Sequence, residues 1–217
     1  MHIDKNSRGT VAMIYLISAA AIFAVFKYSN SFWVIIPVTL LFLFFAIWQT
    51  AFHIVPRRPS EGSDHVVSAV SDGKVVRIEK VFEPDVLKKE CLQISVYMDF
   101  WDVHANFWPV TGEVTYTTYN KGKHLLAFKP KASSDNEHTC TCIRTSDGKD
   151  VYFKQIAGTF ARRIVNYAQP GMKVDAAKQC GIIKFGSRID MFLPSDADVK
   201  VKEGDLIRAC ETVIAEI

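Results

Sequence analysis

Two apolar runs at the start of the chain constrain the fold more than any other feature. Val11 to Phe26 is nearly all apolar, Lys27 to Ser31 is a short polar break, and Phe32 to Trp48 is apolar again with a single Pro37. Each run is close to the ~20 residues a helix needs to cross ~30 Å of hydrocarbon. A buried pair of helices in a soluble protein is the alternative. Neither run carries a polar stripe for water, which favours the bilayer. Lys5 and Arg8 precede the first run, Arg57 and Arg58 follow the second, and the connection holds only Lys27, so the positive-inside rule places both ends in the cytoplasm. Trp33 and Trp48 suit the aromatic belts at the bilayer surfaces. The expectation is a membrane hairpin over residues 1–59, with spans of about 11–26 and 32–48, followed by a cytoplasmic domain over 60–217.

After residue 60 the pattern changes. Short apolar runs are broken by turn signals at Asp72-Gly73, Asn120 to Gly122, Asp147-Gly148, Pro170-Gly171 and Gly204-Asp205, which predicts many short strands. "VVSAVSDGKVVRIEKV" predicts a hairpin about Asp72-Gly73, and "TCTCIRTSDGKDVYFKQIAG" another about Asp147-Gly148. Only Phe160 to Ala168 has a helical spacing, and that segment reads equally as a strand.

The formal net charge is +3 with scattered basic residues, which sets nucleic acid aside as a partner. Five cysteines without a cleavable signal peptide suit reduced thiols in a cytosol. Cys140 and Cys142 lie near His138, but C-x-C with one histidine lacks the paired spacing of structural zinc, and no metal is expected.

"CGIIKFGSRIDMFLP", Cys180 to Pro194, reads as a buried strand with a Gly-Ser pair in its middle. On spacing alone Gly186-Ser187 marks a bulge or tight bend. The chemical reading is that a serine after a glycine can turn its hydroxyl on the preceding carbonyl where strained backbone is relieved by the shift, exchanging amide for ester. Elimination across the serine Cα–Cβ bond then releases the upstream carboxylate and leaves a dehydroalanine, which hydrolyses to a pyruvoyl group and ammonia.

Four stretches resemble the pyruvoyl-dependent phosphatidylserine decarboxylases, in particular their short membrane-bound bacterial branch. They are "SDGKVVRIEKV" from Ser71, "DFWDVHANFWPVTGEV" from Asp99, "DNEHTCTCI" followed by "IAGTFARRIV", and "GIIKFGSRIDMFLP". Together they span nearly all of the soluble domain, in order.

The resemblance implies a mainly β, compact sandwich- or barrel-like catalytic domain with lipoyl-carrier-like C-terminal strands. It also implies a proenzyme cut between Gly186 and Ser187 into a large chain, 1–186, and a small chain, 187–217, that remain associated as a heterodimer. Ser187 becomes a covalent pyruvoyl cofactor. Through a Schiff base with that group, phosphatidylserine, drawn from membrane lipid, is decarboxylated to phosphatidylethanolamine, with the electron-sink logic of pyridoxal phosphate.

His104 is the candidate proton donor or base, since imidazole exchanges a proton near neutral pH; a histidine holding a strand end is the structural alternative. Asp72 is common in Asp-Gly turns for conformational reasons, whereas the resemblance assigns it to polarising a base for self-cleavage. Longer members carry two histidines three apart. The one linked to decarboxylation aligns with His104, and the one linked to self-cleavage aligns with Phe107, so the base that activates Ser187 stays open. Arg162 and Arg163 suit either a lipid phosphate or a solvated surface.

Two rival readings remain. One keeps the fold and takes another serine-headgroup lipid, such as an archaeal ether lipid. The other is a non-enzymatic lipoyl- or biotinyl-like carrier or membrane adaptor, suggested by "VKEGDLIRACETVIAEI" and needing a lysine at an exposed hairpin tip, with Lys184 the nearest candidate.

Overall fold

The computed structural model describes residues 1–126, 132–159, 163–184 and 187–217. The chain divides into two compact units, Met1–Pro56 and Arg57–Ile217.

The first unit is a hairpin of two 21-residue helices, Arg8–Tyr28 and Phe32–Phe52, each a turn or so longer than the apolar runs alone suggest. At 1.5 Å per residue either spans about 31 Å, enough to cross the hydrocarbon layer. Large apolar side chains cover their outside: Leu16, Phe23, Trp33 and Leu41 are all exposed. The open end of the hairpin is tied off by a two-residue ribbon in which His2 faces Val55 and Ile3 faces Ile54. Asp4 N continues it to His53 O at 3.0 Å, and Asp4 itself accepts from Ser7 Oγ at 2.9 Å. Both ends of the hairpin therefore lie on one side.

The second unit is built around an eight-stranded antiparallel sheet. Its order is Lys173–Val174, Gly112–Asn120, His138–Arg144, Asp150–Ala157, Ser187–Pro194, Lys89–Met98, Gly73–Glu83 and Leu206–Ile207. Two three-stranded sheets accompany it, Arg163–Asn166 with Gln179–Lys184 and Ala105–Phe107, and Asp198–Val199 with Val213–Glu216 and Val66–Ser68. The inner face of the large sheet supplies Val75, Ile94, Val96, Met98, Phe153, Ile189, Met191 and Leu193 to one core, joined by Trp108. Because strand side chains alternate, the intervening residues Cys91, Cys140, Cys142, Tyr152 and Phe192 form a second, smaller cluster on the outer face. The mainly β expectation holds.

The predicted hairpin about Asp147-Gly148 is present: His138–Arg144 pairs with Asp150–Ala157, and Gly148 takes the left-handed backbone (φ +84°) that the turn requires. The hairpin about Asp72-Gly73 is not. Val66–Ser68 pairs instead with Val213–Glu216, and Gly73–Glu83 with Lys89–Met98. At Gly73 a side chain would lie 2.3 Å from Tyr97 O, so the glycine serves a close strand contact as well as a turn. The stretch from Cys180 to Pro194 is likewise two strands in different sheets, Gln179–Lys184 and Ser187–Pro194. In the ambiguous Phe160 to Ala168 segment, Arg163–Asn166 is a strand and 160–162 lie outside the described residues.

Candidate active site

Ser187 opens the strand at the centre of the large sheet, opposite Met98 on one side and Ala157 on the other, and is fully buried. Its Oγ donates to Met98 Sδ at 3.1 Å. A thioether is a weak acceptor, so the hydroxyl is lightly held. Gly186 and Phe185 fall outside the described residues.

His104 reaches this place through the backbone. It leads into the strand Ala105–Phe107, whose partner Gln179–Lys184 runs toward Ser187, with Ile182 opposite Ala105. Ile183 N donates to His104 O at 3.2 Å, four residues before Ser187. The imidazole is fully buried, and Nδ1 lies 2.8 Å from Asp102 O. A carbonyl only accepts, so Nδ1 carries the proton and the neutral ring keeps Nε2 as its basic nitrogen. The turn before it is held by aspartates: Asp99 N donates to Asp102 Oδ2 and Trp101 N to Asp99 Oδ1, both at 2.8 Å. Burial pushes the Asp102 carboxyl above its usual range, the bond from Asp99 N opposes that, and the Asp99 charge reinforces it.

Asp72 lies on the segment beside this strand, since Phe107 N donates to Val70 O at 2.9 Å. Among the described residues its carboxylate is met by Arg58, from Nη2 to Oδ2 at 2.7 Å and from Nη1 to Oδ1, and by Ala209 N at 2.8 Å. Arg58 Nη1 also donates to Ala209 O at 3.2 Å. The hydrogen bond to Asp72 raises the guanidinium pKa against the opposing effect of burial.

Sequence reasoning missed Arg58, and it missed Arg188 and Asp190 as well. Arg188 is 2% exposed and Asp190 fully buried on the outer face of the strand that starts at Ser187. Arg188 Nε donates to Asp190 Oδ1 at 2.6 Å and Nη2 donates to Ser95 Oγ at 3.0 Å and Ser133 Oγ at 2.8 Å. Ser133 Oγ in turn donates to Asp190 Oδ2 at 2.7 Å. The signal was in "SRIDMFLP", where the charges at 188 and 190 alternate with the apolar residues at 189, 191 and 193. Of the arginines once considered for a phosphate, Arg163 is exposed and Arg162 is outside the described residues. Lys184 is 9% exposed within a strand, not at an exposed hairpin tip as a carrier would require. A groove of about 580 Å³ between Thr111, Arg144, Lys173 and Asp175 contains none of the predicted site residues.

The model of the family described as phosphatidylserine decarboxylase matches residues 45–215. The chain belongs to that family. Relatives called phosphatidylserine decarboxylase proenzyme include one from Parabacteroides distasonis, 43% identical over 161 residues, or 74% of this chain and 73% of the relative. One from Porphyromonas gingivalis is 34% identical across 100% of this chain and 99% of its own length, and one from Aromatoleum aromaticum is 37% identical across 94% and 92%. As a member of the phosphatidylserine decarboxylase family the chain is an enzyme, and the match covers Ser187, His104 and Asp72 alike.

Proposed function

We propose that this chain is the precursor of a decarboxylase that cuts itself before Ser187 and converts phosphatidylserine to phosphatidylethanolamine at the cytoplasmic face of a membrane. The observation that carries the reading is the placement of Ser187: a fully buried hydroxyl, bonded among the described residues to a sulfur, at the head of a central strand in a chain of this family.

The surroundings suit a pyruvoyl group at residue 187. Met98 and Ala157 flank the position on both sides, and among the described residues no carboxylate or amine is hydrogen-bonded to the Ser187 side chain. A pyruvoyl carbonyl supplies an electron sink for loss of carbon dioxide from an amino acid headgroup. This chain's residues do the rest. His104 exchanges protons at Nε2, with Nδ1 fixed on Asp102 O, and in the absence of a histidine at Phe107 it is assigned both to activating Ser187 and to protonating the product carbon. Asp72, gripped by Arg58, lies on the segment beside the strand that follows His104.

Retention of the small chain follows from topology. Ser187–Pro194 is hydrogen-bonded along both edges, to Lys89–Met98 and to Asp150–Ala157, and Val213–Glu216 pairs with Val66–Ser68. Breaking one peptide bond leaves these ladders and their burial in place. The N-terminal hairpin gives the reason for a membrane enzyme, since a two-chain lipid does not readily leave the bilayer; Lys5, Arg8, Arg57 and Arg58 favour a cytoplasmic placement of both ends.

The test is the mass of the purified protein. A small chain from Ser187 to Ile217, 31 residues, is expected to begin at a pyruvoyl group, lighter by one ammonia than the same peptide with a free serine amine. An active enzyme that ran as one uncut chain would overturn the proposal. Phosphatidylserine and an ether-linked serine lipid, offered in the same vesicles, separate the acyl substrate from its alternative.

A further inference from the structure

Beneath Ser187 lies a line of buried polar side chains that the reaction as described does not use. Thr139 is 4% exposed, and Gln155 and Asn106 are fully buried. Thr139 Oγ1 donates to Gln155 Oε1 at 2.8 Å, and Gln155 Nε2 donates to Asn106 Oδ1 at 2.7 Å. The direction of this relay fixes how the Asn106 carboxamide is turned: its oxygen faces Gln155 and its NH₂ faces the other way. There, among the described residues, it meets Met98 Sδ at 4.0 Å, the same sulfur to which Ser187 Oγ donates at 3.1 Å. The opposite orientation would press the Asn106 oxygen against a thioether, two acceptors in contact.

The room for this relay is deliberate in the sequence. On the neighbouring strand, residue 181 is glycine, and a side chain there would lie 2.8 Å from Gln155 Nε2 and 2.3 Å from Val165 O. Gly181 sits opposite Asn106 in the strand register. Asn106 is also two residues beyond His104, and thus on the same side of an extended chain.

A fully buried NH₂ whose described partner is a sulfur 4.0 Å away is poorly compensated for the water it gave up, because a thioether is a weak acceptor. A leucine of similar shape would avoid that cost. The donor is therefore of use once residue 187 carries an oxygen on Cα, beside the place where its present hydroxyl, which leaves with the upstream carboxylate, now meets the Met98 sulfur. Met98 is suited to give way, being unbranched and flexible.

We propose that Asn106 Nδ2 is the hydrogen-bond donor to the carbonyl oxygen that residue 187 acquires on processing, and that Gln155 and Thr139 are positioning residues that aim it. The inference rests on the pyruvoyl reading given above. When a substrate amine adds to that carbonyl carbon, the electron pair of the C=O bond moves onto the oxygen, and a preorganised N–H in a dry site stabilises the charge without reorganising. Asn106 thus fills part of the place left by Phe107, polarising the carbonyl while His104 handles protons.

The test uses the processed, membrane-reconstituted protein and two readouts besides turnover. Hydroxylamine converts a ketone to an oxime with loss of water, which the mass of the small chain reports directly. Asn106→Leu is expected to slow oxime formation and to lower kcat by about 10²-fold, as for other single oxyanion donors, with KM nearly unchanged. A purely structural Asn106 would lower the melting temperature and leave both rates alone. Gln155→Leu and Thr139→Val, which disturb only the aim of the amide, are expected to give smaller losses in the same direction. The second readout needs no variant: with serine labelled with carbon-13 at Cα, the residue 187 carbonyl of the wild type is expected to absorb at lower infrared frequency than a free pyruvamide carbonyl. A band at the free frequency, or wild-type oxime and turnover rates in processed Asn106→Leu, would overturn the assignment. A small chain bearing a free serine amine would instead sink the pyruvoyl reading, and its mass reveals that before either probe is applied.

Discussion

Arg58 holds Asp72 with both arms of its guanidinium, and together the two side chains grip the Ala209 peptide unit from its N–H and its C=O. Three parts of the sequence meet there: the segment that follows the apolar helical hairpin, the turn before a strand of the large sheet, and the part of the chain that becomes the small subunit on the proposed processing. Both side chains are largely buried, at 6% and 12% exposure. Removing one partner of such a pair strands the other charge, which typically costs about 3–5 kcal/mol. Arg58→Ala is therefore expected to lower the melting temperature of the protein markedly and to slow self-cleavage, as followed on a denaturing gel. Arg58→Lys keeps the charge and loses the fork, and should fall between. Wild-type melting and cleavage in Arg58→Ala would remove Asp72 from any role beyond its turn.

Ser187→Ala separates chemistry from stability. Among the described residues the hydroxyl is held by the Met98 sulfur, a weak acceptor, so its loss should change folding stability by no more than about 1 kcal/mol. The same substitution is expected to leave one full-length chain without decarboxylase activity. Cleavage of Ser187→Ala at this position would place the nucleophile elsewhere.

The legible features and the hidden ones divide along the range of the interactions involved. The two apolar runs and the turn at Asp147-Gly148 are local patterns, and reading them needed no partner, whereas Ser187 and His104 were singled out through the resemblance of the stretches around them. Asp72-Gly73 misled because Asp-Gly is a hairpin signal wherever it occurs, whereas here the strand before it pairs with residues 213–216, far along the chain. Gly186-Ser187 misled in part as well: continuous apolar character on both sides suggested one strand, and nothing in a run of "GIIKF" and "SRIDMFLP" announces that the halves join different sheets. Arg58 and Arg188 were invisible as site residues, since an arginine reads as membrane-flanking or solvated until the carboxylate that buries it is placed beside it.

His104→Ala tests the assignment of the proton-transferring group. Proton transfer by a positioned side chain is typically worth ~10²- to 10⁴-fold in rate, and a loss of that size is expected in processed protein. Because Phe107 offers no second imidazole, processing itself should also be slower, and a pulse of synthesis followed on a gel would show precursor persisting. Normal turnover in fully processed His104→Ala would return the residue to holding the strand end through its backbone bond with Ile183.

The thiols give a prediction with a defined pH window. All five cysteines are free and buried. Burial pushes Cys142 up to about 11 and Cys210 up to about 12 from an ordinary 9.0, and Cys180 is raised as well by its burial. At Cys210 the neighbouring Arg58 pulls the other way without cancelling the effect. The folded state therefore keeps these groups protonated over a range in which the unfolded chain has released them. Since the unfolded state binds fewer protons there, stability falls as pH rises. The contribution is intact below pH ~9 and is lost progressively above it, toward the folded-state values. Denaturant titrations at pH 7, 9 and 10.5 are expected to show a midpoint that declines only in the last interval, and a thiol-reactive dye at pH 8 should label the native protein slowly and all five cysteines once it is unfolded. Rapid native labelling of Cys142 or Cys210 would mean that the outer face of the sheet, or the loop after Leu206–Ile207, opens far more readily than its burial implies, because a thiolate must form before the dye can react.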